Sequence, residues 1–462
     1  MPNLRQNFVR ISYLAQLTFF SLAFFLPALV KGQEFKATYP RIGGVEIAGT
    51  NQTVDPAYRA KLAKHDLVIL GMWRGWSGVD SATNAPLTLR DVVVDIKRRA
   101  AANGNNNILI GKYTNFMESG ESVGGANYDR AQKLNSEVGP GYAVNNDWWA
   151  RDSNGERVSS YRGNWNTNVT EFVRRDSNGD TFPEWSVKRD YDLFFRDVPE
   201  LNLWFIDNWF YRPRVTADWD GDGRNDDRDS ESVRRSYRKG YLNGLRRLRQ
   251  LVPNMVVVGN VDGEPQQNDG MLSEAEYRGQ VSGLFEGAMG LSWSQETWAG
   301  WESMMEQYQV TLANSRDRLA IITVHGEATD YALMRYGLAS CLMDDGYYYY
   351  TTIDTEYRSA LWFDEYDVDL GRAIDPPQFS SWDNGVYRRR FQNGIVLVNP
   401  KGNGTRTVQI EPGYSRIDGR QDRTVNNGQA ASSVTLKERD GIVLVKNVTA
   451  QAKRPKAPVM IQ

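Results

Sequence analysis

Residues 201–210 read LNLWFIDNWF, residues 254–263 read NMVVVGNVDG and residues 281–290 read VSGLFEGAMG. Each is a short apolar run that ends in acids or amides: Asp207-Asn208, Asn260-Val261-Asp262 and Glu286. Runs of this length without polar alternation are strands buried on both faces, as in a parallel sheet. Five more such runs flank them: RIGGVEI (41–47), DLVILGMW (66–73), NILIGKYT (107–114), RLAIITVHGE (318–327) and GYYYYTT (346–352). Helical stretches lie between most of them, at about 54–65, 88–104, 184–199, 230–252, 297–316 and 329–344. In the second, Leu89, Val92, Val93 and Ile96 recur at i, i+3, i+4 and i+7, which makes one apolar face. Eight buried strands alternating with amphipathic helices predict an α/β fold, a (β/α)8 TIM barrel. The competing open doubly wound sheet has less support. G-x-G-x-x-G is absent, and Gly43-Gly44 lie inside the first strand rather than after it.

The texture changes from about residue 380. YRRRFQNGIVLVNP, TRTVQI, SVTLKE and GIVLVKN are short strands parted by Gly, Asn and Asp, with a hairpin expected through Asn393-Gly394. These predict a small antiparallel β-sandwich over 380–450 after a catalytic barrel over 33–375, with 451–462 a disordered tail. Inside the barrel, 115–183 reads as a long insertion. It carries Trp148, Trp149, Tyr161 and Trp165 among many Asn, Ser and Gly residues. Insertions of this kind shape active sites, and the aromatics are expected to stack on a ligand; a plain surface insertion is the other reading.

At the start, Arg5 and Arg10 precede the apolar run 11–30, and Val30-Lys31-Gly32 offers a cleavage site. This reads as a secretory signal peptide over 1–32, which places the protein outside the cytoplasm, secreted or periplasmic, without stable membrane insertion after cleavage. An uncleaved anchor is the alternative, since the run is long enough to span a bilayer. Removal takes away three cations and leaves 52 basic against 57 acidic residues.

The whole chain of 462 residues carries a net charge of -2, which argues against a nucleic-acid partner. One cysteine, Cys341, excludes an internal disulfide. Two histidines, His65 and His325, nearly exclude a centre built on several imidazoles. Carboxylate chemistry remains, and 14 Trp and 23 Tyr supply stacking surfaces for sugars.

Barrel chemistry sits at the C-terminal ends of the strands. The acids there are Asp207, Asp262 and Glu286, on the fourth, fifth and sixth strands. Two carboxylates and no cofactor for the chemistry are what glycoside hydrolysis needs: one protonates the leaving oxygen, the other attacks the anomeric carbon or activates water. The apolar Leu284-Phe285 before Glu286 suggests a setting that favours a protonated acid, while the amide of Asn208 is expected to keep Asp207 ionised. Asp207 and Glu286 form the expected catalytic pair, with Asp262 a third acid that orients substrate. A carbohydrate partner is expected to meet Glu46, Trp73, Lys112, Tyr113, Trp148, Trp149, Asn208, Asn260, His325 and Glu327. A metal-dependent hydrolase built on Asp262, Glu286 and His325 has the least support.

A second motif runs from Asp218 to Asp229. Asp218, Asp220, Asp222, Asp226 and Asp229 occupy positions 1, 3, 5, 9 and 12 of a twelve-residue calcium loop, Arg224 supplies the position-7 carbonyl, and Gly223 falls at the turn. A structural calcium ion beside the fourth strand is expected; a solvated acidic loop is the alternative. DSNGD (176–180) and DSNGE (152–156) read as turns.

Several segments taken together, IGGVEI, DLVIL, NILIGKYTN, LWFIDNWF, GNVDG, LFEGAMG, DDGYYYYT, WFDEYDVDLG and VYRRRFQNGIVLVNP, resemble the hypothetical glycosyl-hydrolase-like family 15, a set of secreted barrels related to the α-galactosidase superfamily. The resemblance spans about 41–400. It implies a (β/α)8 barrel followed by a small β-sandwich. In the α-galactosidase-like clan the nucleophile is an Asp ending the fourth strand and the acid/base an acid ending the sixth, which here fall on Asp207 and Glu286. The clan has Asp at the second position, so Glu286 is a departure. A non-catalytic carbohydrate-binding protein on a degenerate barrel is the competing function. The two differ in the separation they require of Asp207 and Glu286.

Overall fold

The structure is a computed structural model that describes residues 35–46, 50–71, 77–120, 128–138, 147–161, 163–261, 279–352, 357–358 and 360–447. The expected signal segment 1–32, Trp73, Asp262 and the expected tail 451–462 lie outside the described residues.

All eight apolar runs form strands, and the strands form one parallel sheet in chain order. They are β1 (Gly43–Glu46), β2 (Leu67–Leu70), β3 (Leu109–Asn115), β4 (Leu203–Trp209), β5 (Val256–Val261), β6 (Ser282–Met289), β7 (Ala320–Gly326) and β8 (Tyr347–Thr352). The first and last strands approach each other: Ile42 and Tyr348 form a parallel bridge, and the Tyr349 hydroxyl donates to the Val45 carbonyl at 3.0 Å. The result is a mixed α/β architecture with a nearly closed eight-stranded parallel barrel.

Alternation sets the inside and outside of each strand. Val45, Leu67, Ile69, Leu109, Leu203, Phe205, Val256, Val258, Leu284, Ile321, Tyr347 and Tyr349 fill the interior. Their neighbours Val68, Leu70, Ile110, Trp204, Ile206 and Val257 face the helices. These helices include α1 (Pro56–Leu62), α2 (Leu89–Ala102), α3 (Phe182–Asp190), α4 (Glu231–Leu251), α5 (Trp301–Asn314) and α6 (Tyr331–Cys341). In α2 the expected apolar face is buried, and Thr88 and Asp91 close a capping box at its start. The stretch expected as one helix over 184–199 is α3 followed by a π-helical turn, Tyr191–Phe195.

After the barrel come separate antiparallel sheets. Strands β9 (Tyr387–Phe391), β10 (Gly394–Asn399), β11 (Arg406–Gln409), β12 (Tyr414–Arg416), β13 (Ser433–Leu436) and β14 (Asp440–Lys446) form a four-stranded sheet, β9-β10-β14-β12, and a two-stranded one, β11-β13. Val386, Ile395, Leu397, Val408, Val434, Leu436, Ile442 and Leu444 form one cluster shared by both. The hairpin between β9 and β10 corrects the expected turn. Phe391 pairs with Gly394, so the two loop residues are Gln392 and Asn393. Gly394 serves packing instead: a Cβ there would lie 2.4 Å from the Leu444 carbonyl oxygen.

Glu46 ends β1 on the helix-facing side. The Tyr58 hydroxyl donates to its Oε2, Oε1 has no hydrogen-bond partner among the described residues, and burial raises its carboxyl to about 8. The folded state therefore keeps a proton that the unfolded chain releases near pH 4.5, and stability falls as pH rises between about 4.5 and 8. Urea unfolding at pH 5 and pH 8 is expected to show a larger loss for the wild type than for Glu46→Gln, by on the order of 3 kcal/mol. An equal loss in both proteins contradicts this.

Candidate active site

Both expected catalytic acids stand where the ladder breaks. The pairing of β4 with β5 shifts register between Ile206 and Trp209, and that of β6 with β7 between Phe285 and Met289. A bulge re-aims a side chain at a strand end. Each acid is followed by a residue in the left-handed region: Asn208 at φ 53 and Gly287 at φ 55. At Gly287 a side chain would also strike the ring of Trp293, since its Cβ would lie 2.6 Å away. At Asn208, which is not glycine, this conformation costs energy, and such strain collects at functional sites.

The alternation that fills the barrel with Phe205, Val258 and Leu284 brings Asp207, Asn260 and Glu286 to the same side two residues later. One amide then joins the two acids. Asn260 Nδ2 donates to Asp207 Oδ1 at 2.8 Å and to Glu286 Oε2 at 2.7 Å. The two oxygens can be no farther apart than those lengths combined, about 5.5 Å. Each acid receives a tyrosine hydroxyl on its other oxygen: Tyr113 donates to Asp207 Oδ2 and Tyr357 to Glu286 Oε1. The line Tyr113–Asp207–Asn260–Glu286–Tyr357 is thus a continuous hydrogen-bonded chain across the barrel mouth.

Burial raises the Asp207 carboxyl, while the hydrogen bonds from Tyr113 and Asn260, the Asn208 N–H and the positive field of Arg214 lower it. Asn208 contributes less than expected through its side chain, which reaches Asp207 Oδ2 at 3.4 Å; Tyr113 and Asn260 are the better donors. For Glu286 the apolar setting is a correction. Leu284 and Phe285 are buried, but the Glu286 side chain is exposed, because the bulge turns it out of the packed layer.

Among the expected substrate contacts, Tyr113, Asn208, Asn260 and His325 come together here. His325 is buried on the inner face of β7, edge-on to Tyr357 with ring centroids 5.5 Å apart, and its Nδ1 has no hydrogen-bond partner among the described residues. Burial lowers it to about 4, so it is neutral. Lys112 does not join them. It precedes Tyr113 on the same strand and so points to the helices, where its Nζ donates to the Gly71 carbonyl and sits 4.3 Å from the Phe194 ring centroid. Glu46 faces away for the same reason. Trp148 and Trp149 are 0% exposed; their indole N–H groups donate to Arg174 O and Asn135 Oδ1, so they are core residues of the insertion and offer no stacking face. Glu327 lies past β7 with an exposed side chain, and its carbonyl accepts from the Tyr350 hydroxyl.

Sequence reasoning missed Tyr357 and Glu118 and undervalued Tyr161. Tyr161, in the insertion, is 39% exposed and feels the charges of Asp207, Glu286 and Glu118. Trp293, which packs against Gly287, is 46% exposed with its ring 6.3 Å from His325. Among the described residues, these two rings give the site an exposed aromatic surface.

In the acidic loop, Asp218, Asp220 and Asp222 each bring one carboxylate oxygen to within 4.8 Å of the others. Asp218 also accepts from the Gly221, Asp222 and Gly223 amides, and the Arg224 N–H donates to Asp222. Asp226 accepts from the Trp219 and Asp220 amides, and Asp229 is engaged by Arg212. The loop thus gathers the first three expected ligands and ties the last to an arginine.

A sequence profile described as hypothetical glycosyl hydrolase family 15 matches residues 101–395. No curated protein matches the chain. Among solved structures, the α-galactosidase AgaA of Geobacillus stearothermophilus is similar at 10% identity and a TM-score of 0.41, over 88% of this chain and 56% of that one, so the chain spans about half its length. The glycoside hydrolase domain of PelA from Pseudomonas aeruginosa is similar at 13% identity and a TM-score of 0.39, over 70% of this chain and 97% of that one. An α-amylase from Anoxybacillus is similar at 9% identity and a TM-score of 0.41, over 89% of this chain and 98% of that one.

Proposed function

The chain belongs to hypothetical glycosyl hydrolase family 15, and from that membership together with the spacing of its two acids we propose that it is a secreted or periplasmic glycoside hydrolase acting on a polysaccharide or oligosaccharide with retention. Asp207 is the nucleophile. Glu286 protonates the departing glycosidic oxygen and then takes a proton from the incoming water. The observation that carries this reading is the shared Asn260 amide, which keeps the facing oxygens, Asp207 Oδ1 and Glu286 Oε2, no more than about 5.5 Å apart. Retaining enzymes hold their carboxyl groups about 5–5.5 Å apart, whereas inverting ones leave about 6.5–9.5 Å for a water. The same spacing favours an enzyme over a non-catalytic sugar-binding barrel, which has no need of it.

In this account Tyr113 and Asn260 oppose the desolvation of Asp207 by donating to its ionised form. Tyr161 and Trp293 offer faces to sugar rings. The barrel, 33–375, carries the chemistry and 380–450 supports it as an accessory β-sandwich. Among the described residues no helix is long and apolar enough to cross a membrane, and the leader 1–32 directs export. The test is a screen on nitrophenyl glycosides and polysaccharides, with the anomer of the first product read by NMR. Release of the retained anomer supports the proposal. Binding without release favours the sugar-binding barrel.

We also propose that the 218–229 loop takes a calcium ion through Asp218, Asp220 and Asp222, which bracket one point with three carboxylates. An ion that binds the folded state alone raises the unfolding midpoint. Calcium at about 100 times its dissociation constant is expected to add about 2.7 kcal/mol to the wild type and none to Asp220→Ala. Equal midpoints with and without calcium in the wild type refute this.

A further inference from the structure

Glu118 lies three residues past the end of β3 and has no part in the assignment above. Its backbone is pinned from three sides. Asn115, the last residue of β3, is the register partner of Asp207 on β4. The Asn115 side chain accepts from the Met117 N–H at 2.8 Å and donates to Glu118 Oε1 at 3.3 Å. Buried Arg130 donates to the carbonyls of Asn115 and Glu118. Glu118–Ser119 also pairs antiparallel with Trp165–Asn166 of the insertion. So held, the carboxyl keeps one oxygen, Oε2, buried and, among the described residues, without a well-formed hydrogen bond, the Asn164 side chain being the carboxyl's other polar neighbour. A buried acceptor left unpaired costs folding free energy, and each one in a native structure calls for an explanation.

The groups whose charges act on this carboxyl supply one. Glu118 interacts electrostatically with Asp207 and with the hydroxyls of Tyr113, Tyr161, Tyr237 and Tyr241, while Arg130 opposes its charge. Those neighbours include the proposed nucleophile and the exposed ring of Tyr161. We infer that Glu118 is a third functional carboxyl of the site, one that offers its Oε2 atom to a hydroxyl of the sugar ring held against Asp207. The inference rests on the hydrolase reading and adds a substrate contact to it. Burial, followed by the nearby Asp207 charge, raises Glu118 to about 7. Oε1 accepts from Asn115, so below that pH the proton sits on Oε2, which donates to the sugar hydroxyl; above it Oε2 can only accept, and the carboxylate is a second anion beside Asp207. Asn115 and Asn164 favour the ionised form by hydrogen bonding, and Arg130 by its charge.

The test combines two measurements. In the first, the Glu118 carboxyl is followed by ¹³C NMR across pH in the wild type and in Asp207→Asn. Titration near pH 7 in the wild type, and lower in the variant, is expected. Titration in the ordinary glutamate range in both proteins overturns the inference. In the second, Glu118→Ala and Glu118→Gln are assayed on a nitrophenyl glycoside and its singly deoxygenated analogues. The Ala variant is expected to lose about 10–100-fold in kcat/KM on the parent glycoside, and to lose nothing on the one analogue that lacks the contacted hydroxyl. The Gln variant, a neutral donor of similar shape, restores most of the rate below pH 7. An equal loss on every analogue makes the role structural and overturns the inference. Should Glu118→Ala fail to fold, the Gln variant and the titration decide. Should the wild type cleave no glycoside, the hydrolase reading falls, while the titration still decides whether Glu118 and Asp207 form one site.

Discussion

Asp207→Asn is expected to lower kcat by about 10⁴-fold or more while substrate binding stays within a few-fold. The amide keeps the shape of the side chain but cannot attack the anomeric carbon. The new amide has one oxygen, so it accepts from Asn260 or from Tyr113 but not from both; with the oxygen toward Asn260, the Tyr113 hydroxyl turns to accept from the amide NH2. A smaller replacement, Asp207→Gly, opens room for an external anion. Added azide should then restore part of the rate on activated glycosides, giving a glycosyl azide of inverted configuration while Glu286 still protonates the leaving oxygen. The pH profile carries a second signature. The nucleophile works ionised, and burial raises the Asp207 carboxyl, so the acidic limb of kcat/KM falls above the ordinary aspartate range. Removing a donor with Asn260→Ala is expected to move that limb to still higher pH. Near wild-type turnover in Asp207→Asn removes the assignment.

Glu286→Gln is expected to cost about 10²–10⁴-fold on substrates whose leaving group needs a proton, and far less in the first step on dinitrophenyl glycosides. Loss of the base also slows hydrolysis of the glycosyl-enzyme, so activated substrates should give a burst of phenol followed by a slow steady rate. The exposed position of the carboxyl agrees with a group that must reach an outer glycosidic oxygen and then water. An equal loss on good and poor leaving groups would assign Glu286 a role other than proton transfer.

The barrel is legible in the sequence because a strand buried on both faces must be apolar along its length, and eight such runs stand out from the amphipathic helices between them. The two acids are legible because they interrupt that pattern at the strand ends. The bulges that aim them are visible only through Asn208 and Gly287, residues that tolerate the left-handed region. Lys112 and Tyr113 show what a list of strand-end residues leaves out: two adjacent strand residues face opposite ways, and the phase set by Leu109 puts Tyr113 inside. Trp148 and Trp149 have the composition of a sugar platform, but they anchor the insertion in the hydrophobic layer that the strands share with their helices. Tyr357, Tyr161 and Glu118 lie in turns and short pairings without periodicity, where nothing in a single sequence marks which side chain returns to the site.

The decisive measurement is mass spectrometry of the protein treated with 2-deoxy-2-fluoro glycosyl fluorides, which let the glycosyl-enzyme form and delay its breakdown. The account predicts one added sugar per chain, on the peptide that contains Asp207, and none on Asp207→Asn. A label on another acid, such as Glu286 or Glu118, or turnover with release of inverted product and no covalent adduct, would contradict it.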